Sequence, residues 1–194
     1  MLASKRVTSL QLQELAKRYN HEVAAVRTII NVETPGFGFS KTTGRILIQF
    51  EPHWFKKKFV EWKEHQTAWA FNGISYQTEE WIAFNNAFQY APNAAMEATS
   101  VGMMQVMGFH FKTLGFKTVG AMWDFAKESE ANQVDLGMRF IKSNPALDRA
   151  LREKDWYHVA YYYNGAYFQQ LAQKNKSVPY DKQLKLGYLK IISS

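Results

Sequence analysis

Glu33 is the first residue whose type and position could do chemistry. Val23, Val26, Ile29 and Ile30 recur at helical spacing and form one apolar stripe. Glu33 follows Ile30 by three residues and Ile29 by four, so it falls on that stripe in the last turn of the helix. Pro35 and Gly36 then stop the helix. A carboxylate on a buried helix face is costly unless it is paired or protonated. Placed where a helix opens into a Gly-containing turn, it has what a general acid needs: low dielectric, a raised pKa and room for a substrate.

Three further stretches carry polar groups in unusual places. In RILIQFE, Ile46, Ile48 and Phe50 alternate with Leu47, Gln49 and Glu51, so a strand there could aim Glu51 at the helix end that bears Glu33. Gln105 is enclosed by Met103, Met104, Val106 and Met107, and a Gln in an apolar run must find hydrogen bonds in the core or from a ligand. Glu97 lies near that run and competes with Glu51 as a second carboxylate. Tyr161, Tyr162, Tyr163 and Asn164 run directly into Gly165, a helix stop. Other chemistries lack support. The five histidines are scattered, His21-Glu22 has no second His at zinc-protease spacing, and there is no P-loop, GxGxxG or GxSxG. No metal ligand set and no cofactor is expected. Glu61 with His65 reads as an exposed pair, and His53 as structural.

The elements that must position these residues read mostly as helices. Residues 8–19 form a first helix capped by Thr8 or Ser9 and stopped at Asn20, and 21–33 a second that carries Glu33. Residues 36–51 read as a hairpin turned by Lys41 to Gly44. Pro52 opens a helix expected to run to Trp69, with Phe59 and Trp62 inward and Lys56 to Lys58 on a solvated face, followed by a linker at 72–76. Further helices are expected over 78–90, 93–98, 118–126, 129–143, 145–152, from Asp155 to Asn164, 167–175 and 179–190. The fold class is α+β, predominantly α-helical, with one small β-hairpin inserted after the helix bearing Glu33, in a single domain over 1–194.

Composition bounds the partners. With 24 Lys and Arg against 17 Asp and Glu, the net charge of +7 predicts attraction to polyanions: nucleic acid, anionic lipid or an anionic wall polymer. There is no Cys, which excludes disulfides, thiol nucleophiles and Cys-based zinc sites. The N-terminal residues are too polar for a signal peptide, and no apolar run approaches the roughly 20 residues that span a bilayer. The expectation is a protein made soluble in a cytoplasm, without stable membrane insertion; if its target lies outside, something else must let it out.

Glu33-Thr34, the Gly102-Met103-Met104-Gln105 run and Ala160 to Gly165, taken in order, resemble three motifs of goose-type lysozymes and soluble lytic transglycosylases. The whole chain is closer still to the N-acetylmuramidase domain of bacteriophage endolysins. That likeness adds Phe50-Glu51-Pro52-His53, Gln105 to Phe109, and Tyr163-Asn164-Gly165 followed by Tyr180-Asp181 and Leu184. The chain departs from the pattern at Thr34, Met103 and Ala166-Tyr167. The resemblance implies a lysozyme-like fold and a peptidoglycan glycosidase acting on glycan strands between N-acetylmuramic acid and N-acetylglucosamine, a monomer made in the host bacterial cytoplasm that acts in the periplasm or cell wall after release. It makes Glu33 the proton donor, has Gln105 hold an N-acetyl or hydroxyl group, and has Tyr163 bond near Glu33 or the acetamido group. Asn164 and Ser100 are further binding residues. Glu51 is the expected water-activating base. Without such a base, the muramic 6-hydroxyl attacks and the enzyme is a lytic transglycosylase. A non-catalytic wall-binding protein is the other alternative. Nucleic acid is not expected as a partner, because Lys and aromatics share no evident face.

Overall fold

The computed structural model describes residues 5–34, 36–61 and 76–193. Two helices open the chain. Helix α1 (Ser9–Arg18) starts with a capping box: the Thr8 hydroxyl accepts from Gln11 N–H, and the Gln11 side chain returns to the Thr8 backbone. Asn20, at φ 59°, makes the left-handed turn into α2 (Val23–Glu33), whose Val26, Ile29 and Ile30 are buried.

The β signal in 36–51 resolves differently from a free-standing hairpin. Phe39 and Ile46 form one antiparallel bridge around the 41–44 turn, while β1 (Ile48–Phe50) pairs with β2 (Thr99–Val101). A second antiparallel pairing joins β2 to β3 (Val106–Met107), so the sheet order is β1-β2-β3. Thr99 to Met107 reads as turns and apolar filler in isolation. Only distant β1 gives β2 a partner, which local pattern cannot show.

The outer edge of β1 is closed by side chains. Helix α4 (Gln77–Tyr90) lays Gln77 and Glu80, one turn apart, along it. Gln77 accepts from Ile48 N–H at 3.1 Å and donates to Ile48 C=O at 2.7 Å, and Glu80 accepts from Phe50 N–H at 2.7 Å. Unpaired strand edges invite association, and these two residues satisfy the edge as a fourth strand would. Glu80 thereby becomes a buried carboxyl, and burial pushes its pKa up to about 7.

Helix α3 (Pro52–Lys58) ends earlier than its sequence pattern suggested. Phe59 leaves the helix in an extended conformation and its ring packs 5.4 Å from Phe55 and 6.3 Å from Tyr90. Tertiary aromatic packing outweighs the helical preference of the Lys run. That run is not wholly solvated: Lys57 sits 4.5 Å over the Trp54 ring, and Lys58 pairs with Glu97. The expected inward Trp62, the helix beyond Glu61, His65 and the linker up to residue 75 lie outside the described residues.

The short α5 (Pro92–Glu97) precedes β2. After β3 come a 3-10 turn at Gly108–His110, α6 (Val119–Glu128), α7 (Glu130–Ser143), α8 (Pro145–Glu153), α9 (Trp156–Tyr163), α10 (Phe168–Lys174) and α11 (Tyr180–Ile192). Thr118, Ser129, Asn144 and Asp155 each cap their helix by accepting a first-turn N–H. Helix α7 is the central one, with Val134, Leu136, Met138 and Ile141 fully buried. Helix α11 folds back onto α2 and α9, with Gly187 facing Thr28 and Val32.

Candidate active site

Three separate pieces of chain meet at the turn between β2 and β3. Gly102 occupies φ +74°, and a Cβ there would lie 2.6 Å from the buried side chain of Gln133 on α7. Gln133 accepts from Met103 N–H at 3.0 Å and donates to Ala126 C=O at 3.0 Å, fixing the turn to the core. From α2, the Thr34 hydroxyl reaches Ile30 C=O at 3.1 Å and Met103 C=O at 3.3 Å. From α9, the Tyr163 hydroxyl donates to Met104 C=O at 2.6 Å. The 102–105 turn therefore holds the C-terminal ends of α2 and α9 in one place.

Glu33 is the last residue of α2. Its carboxyl is half-buried, and burial pushes its pKa up to about 7, opposed by a hydrogen bond from Tyr180. The Tyr180 hydroxyl, in the first turn of α11, donates to Glu33 Oε1. Among the described residues none donates to Oε2. The resemblance has Tyr163 bond near Glu33 or the acetamido group; here its hydroxyl donates to Met104 C=O. Tyr163 is nonetheless close: its ring stacks on Tyr180 at 6.5 Å and 10°, and burial together with the Glu33 charge raises its pKa well above normal. Tyr180 appeared in the sequence only as part of a tail motif. Its reach to Glu33 depends on how α11 packs against α2 across a separation of 147 residues, which spacing cannot reveal.

Beside the tyrosines runs a groove of about 480 Å³. Trp54, Phe109, Phe140 and Tyr163 supply its aromatic lining, and Gln105, Asn144 and Asn164 its amides. Amides and flat aromatic faces together suit a sugar ring, which presents polar edges and an apolar C–H face. Gln105 holds a left-handed φ of 46°. Its Nε2 donates to Gly102 C=O at 2.7 Å and its Oε1 accepts from the Ser100 hydroxyl at 2.8 Å. One N–H and one lone pair of the Gln105 amide remain for a ligand. Ser100 is itself buried and does not line the groove; it holds Gln105. Asn164 is exposed at the end of α9 and lines the groove.

The two candidate second carboxylates are otherwise engaged. Glu51 precedes α3 without a side-chain cap, accepts from Gln49 Nε2 at 2.9 Å, and lies 3.4 Å from His53 Nδ1. Burial raises its pKa, with His53 and Gln49 pulling the other way. Neither Glu33 nor Glu51 lines the groove itself, whereas Tyr163 and Trp54 do. The Glu97 carboxylate is held by Lys58. Among the described residues no group of three or more His, Cys, Asp or Glu could hold a metal.

The sequence profile of N-acetylmuramidases matches residues 22–191. The chain belongs to the N-acetylmuramidase family. Membership makes this muramidase a peptidoglycan-degrading enzyme. The crystal structure of the Burkholderia AP3 phage endolysin is similar to it with a TM-score of 0.80 and 32% identity, over 97% of this chain and 72% of that one. The muramidase therefore has an endolysin-type, lysozyme-like fold. No curated protein gives a sequence match. No described helix of the muramidase is long and apolar enough to cross a membrane.

Proposed function

We propose that this muramidase cleaves the β-1,4 bond between N-acetylmuramic acid and N-acetylglucosamine, with Glu33 as general acid, and that it serves as a phage endolysin in host lysis. The observation that carries the assignment is the half-buried Glu33 carboxyl at the end of α2, with a pKa of about 7, bonded to Tyr180, whose ring stacks on the groove-lining Tyr163. At neutral pH a large share of it keeps its proton. That proton passes to the glycosidic oxygen as the C1–O bond of the muramic ring breaks, and the resulting carboxylate accepts the Tyr180 hydroxyl more strongly than the neutral acid did. Gln105 and Asn164 bind the acetamido and hydroxyl groups, and Trp54 and Tyr163 offer apolar faces.

In the hydrolytic reading Glu51 activates the water. A second reading is favoured by the geometry of the carboxylates. Glu51 and Glu97 are held by Gln49, His53 and Lys58. The muramic 6-hydroxyl then attacks C1 in place of water, gives its proton to the Glu33 carboxylate and leaves an anhydro end. Mass spectrometry of the released muropeptides decides between them. Reducing muramic ends mean hydrolysis, and products lighter by one water mean transglycosylation. Glu33→Gln is expected to lower turnover on purified peptidoglycan by a factor of about 10³. Full activity in a Glu33→Ala protein with a native circular dichroism spectrum would remove Glu33 from the mechanism.

A further inference from the structure

We propose that the outer face of α11 is an adsorption surface for an anionic lipid bilayer, separate from the glycan groove and independent of which carboxylates do the chemistry. Helix α11 has two unlike faces. Leu184 is fully buried and Tyr188 packs its ring 5.2 Å from Trp156, so that side is taken up by the core. The opposite side presents Leu186 at 63% exposure, Leu189 at 46% and Ile192 at 53%. These three fall within about 120° of the helix circumference, together with exposed Lys182 and Lys185. Val178, just before the helix, is also exposed, at 52%.

The charge of this region selects the partner. Between Tyr167 and the C-terminal Ser194 there are five lysines against a single aspartate. Lys182 and Lys185 make no ion pair among the described residues, and the Oδ1 of the aspartate, Asp181, is buried. Large aliphatic side chains between flexible lysines are what a lipid headgroup layer accepts: the apolar groups enter the acyl boundary and the ammonium groups stay at the phosphates. A polynucleotide has no use for the Leu and Ile, and a neutral bilayer none for the Lys. The face is about 15 Å long from Lys182 to Ile192, which suits reversible adsorption in the interface and falls short of spanning.

The test is sedimentation of the full chain with vesicles, using phosphatidylcholine alone and phosphatidylcholine with an equal amount of phosphatidylglycerol. The wild type is expected to sediment with the anionic vesicles only, and more weakly at about 0.5 M salt. Leu186→Ser/Leu189→Ser/Ile192→Ser and Lys182→Glu/Lys185→Glu are each expected to lose about tenfold or more of this binding. Both should retain wild-type turnover on purified peptidoglycan and a native circular dichroism spectrum. Binding to neutral and anionic vesicles alike, or to neither, overturns the proposal. So does undiminished binding by either variant. Conversion by the apolar variant of a lipid-free dimer into a monomer assigns the face to self-association instead.

Discussion

At the scale of single residues, Glu33 trades stability for a proton. Its folded pKa lies near 7 against an ordinary value of 4.5. A carboxyl raised in this way stabilises the fold fully below about 4.5 and loses that contribution as pH rises through 7. Glu33→Gln should therefore raise the unfolding free energy at pH 8 by about 1–3 kcal/mol in urea titration while lowering turnover about 10³-fold. The same titration sets the alkaline limb of kcat/KM of the wild type near pH 7, since only the protonated acid is competent. Tyr180 acts through Glu33 and is a positioning residue. Its hydroxyl opposes the effect of burial, so Tyr180→Phe should move the alkaline limb to higher pH and lower kcat by about 10- to 100-fold. A loss of activity in Tyr180→Phe with an unmoved limb would assign Tyr180 to packing alone.

At the scale of elements, the 102–105 turn decides whether the ends of α2 and α9 meet. Two glycines separate the causes. Gly115, at φ +88°, has nothing within 4 Å of an added Cβ, so Gly115→Ala should cost only the backbone strain, about 1 kcal/mol. Gly102→Ala adds a collision with Gln133 and should cost about 2–4 kcal/mol by chemical denaturation. It should also lower kcat, because the turn fixes Gln105 and receives Tyr163. Gly102 reads in the sequence as a punctuation mark before a Met run. What makes it obligatory is Gln133, some thirty residues later, and no local pattern links the two. The helices were legible because each keeps its own apolar face and several, α1 and α6 to α9, begin with a side-chain cap. The sheet was only half legible, since β1 alternates and β2 does not.

For the whole molecule, pH pulls in two directions. Glu33 and Glu80 both have folded pKa values near 7, so each withdraws stability as pH rises above about 4.5. His21 runs the other way. Its ring is buried with Nδ1 unpartnered and Nε2 at 2.9 Å from Asp148, which Lys142 and Arg152 already neutralise. Burial lowers the His21 pKa, so its contribution is present above 6.5 and is lost as pH falls below that. Two buried carboxyls outweigh one imidazole. The thermal midpoint should be higher at pH 5.5 than at pH 8, and Glu33→Gln/Glu80→Gln should flatten that difference. A wild-type midpoint that instead rises toward pH 8 would mean these carboxyls are ionised at little cost.

By itself the sequence determined the helices, the absence of thiol chemistry, the cationic balance and the place of Glu33 on an apolar stripe. All of these follow from residue type and short-range periodicity, which act within a turn or two of chain. Tertiary structure decided what touches Glu33. It gave the carboxyl Tyr180 rather than Tyr163, turned Ser100 inward to hold Gln105, and set Gln77 and Glu80 along the edge of β1. Those contacts join residues far apart in the chain, and only the packing of a common core brings such residues within hydrogen-bonding distance.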